Sequence, residues 1–139
     1  MRTMILTALV VGALAGVGTS AEKSEKAKKP RLDLRAAPRM AFSPVNVLLT
    51  AELTGGEDVE SLYCPEVEWD WDDGGRSVRE SDCAPWAPGG SLERRFTAQH
   101  AFLGAGTYRV KVTMRKANHT VAVATATVDV RPGFGDMSN

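Results

Sequence analysis

An all-β sandwich of two antiparallel sheets is the fold class this chain predicts, and three observations predict it. Segments of apolar/polar alternation recur along the sequence. Turn residues separate them. No apolar run with helical spacing appears after the first twenty or so residues. Alternation marks strands because successive side chains point to opposite faces of a sheet.

The elements follow in order. Residues 1–21 read as a signal peptide. Arg2 supplies a basic start, residues 4–18 an apolar run, and Thr19, Ser20 and Ala21 the small residues before cleavage at Glu22. A membrane-spanning helix needs about 20 apolar residues. This run is shorter, so no stable membrane insertion is expected, and the expected location is secreted, periplasmic or cell-surface. Residues 22–36 hold Lys23, Lys26, Lys28, Lys29, Arg31 and Arg35 with no aromatic, and read as a flexible Lys-rich linker. A basic arm suits an acidic polymer or an anionic membrane surface. Glu22, Glu25 and Asp33 dilute that charge, and a solvated spacer is the simpler reading. Residues 37–131 then form one domain, and 132–139 a disordered tail.

Within the domain, residues 45–53 alternate, with Val47, Leu49 and Ala51 inward and Asn46, Thr50 and Glu52 outward. Residues 66–72 set Val67, Trp69 and Trp71 on one face, and Glu66, Glu68, Asp70 and Asp72 on the other. Residues 107–115 put Tyr108, Val110, Val112 and Met114 inward, and Arg109, Lys111, Thr113 and Arg115 outward. Cross-strand pairing of the acidic stripe with the basic one explains both without a ligand. Residues 120–130 make the last strand, after a turn at Asn118 and His119. Shorter strands are expected at 38–42, 77–80 and 92–96.

Asp73 and Gly74 are a two-residue hairpin signal, because a type I′ turn needs positive φ at both central positions. A hairpin turning there sets Trp69 opposite Val78, Glu68 opposite Arg79 and Cys64 opposite Cys83. A disulfide between Cys64 and Cys83 at the base of the hairpin follows. Export to an oxidising compartment permits it. No CxxC or zinc-ligand spacing is present.

Net charge is zero over the chain, but residues 40–131 hold nine basic and thirteen acidic side chains. That mild acidity argues against a nucleic-acid partner.

The run Trp69, Asp70, Trp71, Asp72, Asp73, Gly74 resembles the Trp-Asp-Phe-Gly-Asp-Gly signature of the PKD domain, the polycystic-kidney-disease repeat. His100, Phe102, Gly106 and Tyr108 resemble that family's His-x-Tyr and Gly-x-Tyr pattern. The resemblance covers roughly residues 38–131. Departures are Trp71 for Phe, Asp72 for a permissive Gly and Phe102 for Tyr, with a longer loop at 84–91. The resemblance implies an Ig-like/PKD sandwich, usually extracellular, with a role in adhesion or in assisting another domain. It also implies that His100 braces the corner before the next strand.

Several side chains remain as candidate sites. Asp70, Asp72 and Asp73 offer oxygen ligands of the kind calcium prefers, and some PKD-like domains bind it. The run lacks the spacing of an EF-hand, and outward carboxylates beside basic strands are expected to pair instead. Trp86, in a Pro/Gly-rich loop, suits stacking on a sugar or anchoring a protein contact. The alternative is a Trp folded back over the sandwich end. Asn118, His119 and Thr120 have the form of a glycosylation sequon. No nucleophile-base arrangement is visible, so no catalytic residue and no required cofactor is assigned. The sequence therefore reads as a non-catalytic extracellular or cell-envelope binding module for protein or polysaccharide. The alternative is a structural or assembly component of a surface complex.

Overall fold

A computed structural model of the chain describes residues 29–80 and 82–135. The expected signal peptide and the start of the expected linker lie outside the described residues.

Among the described residues, eight strands and one short helix follow in order: β1 (Arg31–Ala37), β2 (Met40–Phe42), β3 (Val45–Thr54), α1 (Val59–Leu62), β4 (Glu66–Asp70), β5 (Arg76–Arg79), β6 (Arg95–Phe102), β7 (Gly106–Lys116) and β8 (His119–Arg131). One sheet has the order β1-β3-β6 and the other β2-β8-β7-β4-β5. All pairings are antiparallel except β2 with β8, which is parallel. The result is an Ig-like β-sandwich.

Alternation builds its core. Val47, Leu49 and Ala51 of β3 face Val67 and Trp69 of β4 and Val110, Val112 and Met114 of β7, with Phe96 and Phe102 of β6 filling the layer. On the outer face, Glu66 lies opposite Arg115 in register. Arg115 reaches Glu68 at 3.3 Å, and Arg76 reaches Asp70 at 3.5 Å. The acidic stripe is thus paired with basic side chains from the strands on either side.

The expected flexible linker ends earlier than residue 36, because residues 31–37 are strand β1. Leu34 and Ala36 are buried while Arg31, Asp33 and Arg35 stay in solvent. The charged residues are the outward half of an alternating strand, and β3 supplies its hydrogen-bond ladder.

The β4–β5 hairpin differs from expectation by one residue. Val67 faces Arg79, Glu68 faces Val78 and Trp69 faces Ser77. The turn has three residues, not two. Asp72 takes φ 61° and Gly74 φ 88°, and Trp71 N–H donates to the Gly75 carbonyl at 3.2 Å. A one-residue slip turns every side chain of a strand to the other face. Val78 is therefore outward and 52% exposed. Ser77 turns inward, where its Oγ accepts from Trp71 Nε1 at 3.0 Å.

Two ends also shift. The β7–β8 turn sits at Ala117 and Asn118, with φ of 47° and 65°, and His119 already pairs with Lys116. The expected tail begins as ordered chain, because Gly133 is buried and donates its N–H to Ser43 Oγ at 3.0 Å.

Candidate functional site

Two ends of β4 hold the residues that the sequence singles out. At the Asp72 end, five rings run from one sheet to the other. Trp69 stacks on Trp71 with centroids 5.6 Å apart, and Trp71 stacks on His100 at 4.3 Å with ring planes 2° apart. His100 meets Phe102 edge-on at 4.8 Å, and Phe102 lies 4.4 Å from Tyr108. Trp71 belongs to the five-stranded side and His100 to β6 of the three-stranded sheet, so the stack crosses the sandwich. Tyr108 Oη then donates to the Gly104 carbonyl at 2.7 Å, which ties the β6–β7 corner to β7.

The carboxylates of the turn secure this stack. Asp73 Oδ2 lies 2.6 Å from His100 Nε2, and Asp73 Oδ1 accepts the Gly75 N–H at 2.9 Å. Asp72 Oδ2 accepts the backbone N–H of Arg109 on β7 at 2.8 Å. Asp70 Oδ1 accepts the Asp72 N–H at 3.1 Å. Burial pushes the Asp73 carboxyl up. The His100 hydrogen bond, the Gly75 N–H and the His100 charge outweigh that, and hold it below its ordinary value of 3.8.

Asp70, Asp72 and Asp73 are neighbours in sequence but do not converge. Each has a protein partner of its own. Among the described residues no group of three or more His, Cys, Asp or Glu side chains is placed to hold a metal ion. The three carboxylates weighed above as calcium ligands are thus each engaged with a different protein group.

At the other end of β4 the chain makes α1, whose first turn is capped by Asp58 Oδ1 accepting from Ser61 N–H. Cys64 follows at φ 56° and is bonded to Cys83. The pairing stands although the ladder ends at Arg79 and is slipped. The Cα–Cα distance of 6.0 Å is within bridging range. Tyr63 Oη donates to the Ala84 carbonyl at 2.7 Å. Lys116 Nζ donates to the Tyr63 carbonyl.

Trp86 is half-buried and meets Tyr63 edge-on with centroids 5.0 Å apart. Its ring leans on Tyr63 and stays partly in solvent. Beside it, Tyr63, Arg79, Glu80, Asp82, Leu92 and Glu93 line a cleft of about 330 Å³. Sequence reasoning found Trp86 but not Tyr63, whose partners lie 21 and 53 residues away.

This architecture is that of an Ig-like β-sandwich. The chain is similar in structure to the PKD domain of a peptidase from a Thermoplasmatales archaeon, at TM-score 0.54 and 16% identity, covering 75% of this chain and 96% of that one. It is also matched to the CARDB domain of a Pyrococcus furiosus protein solved with di-metal ions, at TM-score 0.48 and 16% identity, over 76% and 94% of the two chains. No family model matches the sequence, and no curated protein matches it. The likeness is one of fold. Among the described residues no helix is long and apolar enough to cross a membrane.

Proposed function

We propose that the chain is an exported, non-catalytic binding module that takes a protein or polysaccharide of the cell envelope or matrix. The observation that supports this reading is the division of labour along β4. The polar motif residues at one end are engaged in holding the sheets together. The other end sets Tyr63 with Arg79, Asp82 and Glu93 around an open cleft, and Trp86 packs on Tyr63. Flat rings beside hydrogen-bonding side chains suit sugars and extended peptides alike. A disulfide persists where the compartment is oxidising, which favours export.

The test is titration of the purified chain with chito-oligosaccharide, cello-oligosaccharide and peptidoglycan fragments, followed by tryptophan fluorescence and calorimetry. At least one probe binds, and Trp86→Ala weakens that binding by about tenfold or more while the chain stays folded. Binding that survives Trp86→Ala contradicts the assignment of this end. Silence from all three probes removes the polysaccharide reading and leaves protein partners.

A further inference from the structure

We infer that the end of the sandwich at Phe42 and Phe134 is a peripheral membrane contact, which rests on a bilayer whose phosphate headgroups carry net negative charge. Large apolar side chains collect there. Met40 and Phe42 of β2 are exposed, and Phe134, just after β8, is 98% exposed. Phe42, Pro132 and Phe134 border one apolar cleft. Leu103 is 77% exposed at the same end, one residue past the Phe102–Val45 pair. Contiguous apolar surface on a folded domain marks protein or membrane contacts.

The backbone holds these side chains out. Ser43 N–H donates to the Arg131 carbonyl at 2.9 Å, and Gly133 N–H donates to Ser43 Oγ at 3.0 Å. Gly133 packs so closely on Ser43 that a Cβ there would strike the Ser43 carbonyl. The chain is therefore pinned one residue before Phe134, whose ring is displayed beside Phe42.

Shape and charge select the occupant. The cleft is about 120 Å³, well below the roughly 300 Å³ at which small-molecule sites begin. Phe134 stands clear of the surface, so a rigid protein partner would need a matching pocket. A bilayer has no fixed shape and takes up a protruding ring. Arg39 precedes Met40, and Arg131 is the register partner of Phe42. Both are exposed, and neither has an ion-pair partner among the described residues. Residues 34–51, 94–128 and 130–135 contain no Asp or Glu. Asp129 is the carboxylate between them, and it is half-buried. Asp72 and Asp73 also stand at this end, beyond β7, and are engaged by the Arg109 N–H and by His100. Apolar side chains flanked by arginines bind an anionic bilayer in two ways. Rings enter the acyl boundary, and guanidinium forks meet phosphates. A second copy is disfavoured, because a two-fold contact through this patch would bring the arginines of both copies together.

The test is co-sedimentation of the exported, processed chain with vesicles of phosphatidylcholine alone and of phosphatidylcholine mixed with phosphatidylglycerol. Binding to the mixed vesicles, at least about tenfold tighter than to the neutral ones, is the expected result. Phe42→Ser with Phe134→Ser weakens it by about tenfold or more. Arg39→Gln with Arg131→Gln weakens binding to the mixed vesicles by about tenfold and leaves binding to the neutral ones unchanged. Val78→Ser, at an exposed position on β5, changes neither, and thermal melts verify that all variants are folded. The Lys-rich segment is present in every variant. Binding that survives both phenylalanine changes therefore belongs to that segment and overturns the inference. Failure to bind either vesicle, or an equal loss from Val78→Ser, overturns it as well.

Discussion

The two ends of β4 are held by different physics. At the Asp72 end the two sheets are joined by stacked rings, an Asp–His contact and carboxylates on backbone amides. At the Cys64 end a covalent bond and one aromatic pair hold loops that no strand continues. At the first end Asp70, Asp72, Asp73, Trp71 and His100 each have a hydrogen-bond partner. The second has an open cleft beside Tyr63.

That contrast can be broken first at Trp71. The side chain is 2% exposed and lies between Trp69 and His100. Trp71→Ala leaves a cavity between the sheets and strands Ser77 Oγ without its donor. It is expected to cost about 3–5 kcal/mol in chemical denaturation, more than any change at the other end. Removing the disulfide comes next. Cys64→Ser with Cys83→Ser opens a loop with a sequence separation of 19, expected to cost about 3 kcal/mol in the chain-entropy model. Amide exchange should then rise around Tyr63 and Trp86 and stay unchanged at His100. A uniform rise over both ends would mean that they are not separate units.

Asp72 sharpens the comparison. It holds φ 61°, a conformation costing an ordinary residue about 1–2 kcal/mol. Its carboxylate recovers part of this through the Arg109 N–H. Asp72→Gly relieves the backbone but loses that bond, so the two effects nearly cancel, within about 1 kcal/mol. Asp72→Ala keeps the strain and loses the bond, and is expected to cost about 2 kcal/mol. Both are read from denaturation midpoints.

The smallest expected effect is the pH dependence of the Asp73 end. Its carboxyl is held below 3.8 when folded. The stability it contributes is therefore present above about pH 4 and is lost as the pH falls through the lower folded value. In His100→Ala that acid-side loss should shrink, because the hydrogen bond and charge that lower the carboxyl are gone. NMR titration of the Asp73 carboxyl carbon in both proteins checks the direction.

How much of this was legible depended on where the controlling contact lay. The faces of β3, β4 and β7 followed from alternation because both states of each residue were decided by its own strand. The hairpin register did not. It turned on Asp72 accepting positive φ, and that depends on an amide 37 residues further along. β1 carried a readable alternation in Leu32, Leu34 and Ala36, but it was obscured by charges belonging to its outward half. The PKD-like motif singled out Trp71, Asp73 and His100. Their roles required the partners: Asp73 with His100 27 residues away, and Trp71 with Ser77 after the slip. Tyr63 gave no local signal at all.

The central claim is that the acidic turn braces the two sheets. Thermal melting of the wild-type chain and of Asp73→Asn, each in about 5 mM calcium and in chelator, tests it most directly. A ligand held by the native state alone at a hundredfold excess over its Kd adds about 2.7 kcal/mol. The brace predicts no calcium shift in the wild-type melt, and the same lowering by Asp73→Asn in both buffers. A wild-type melt raised by calcium, with the rise abolished in Asp73→Asn, would contradict it.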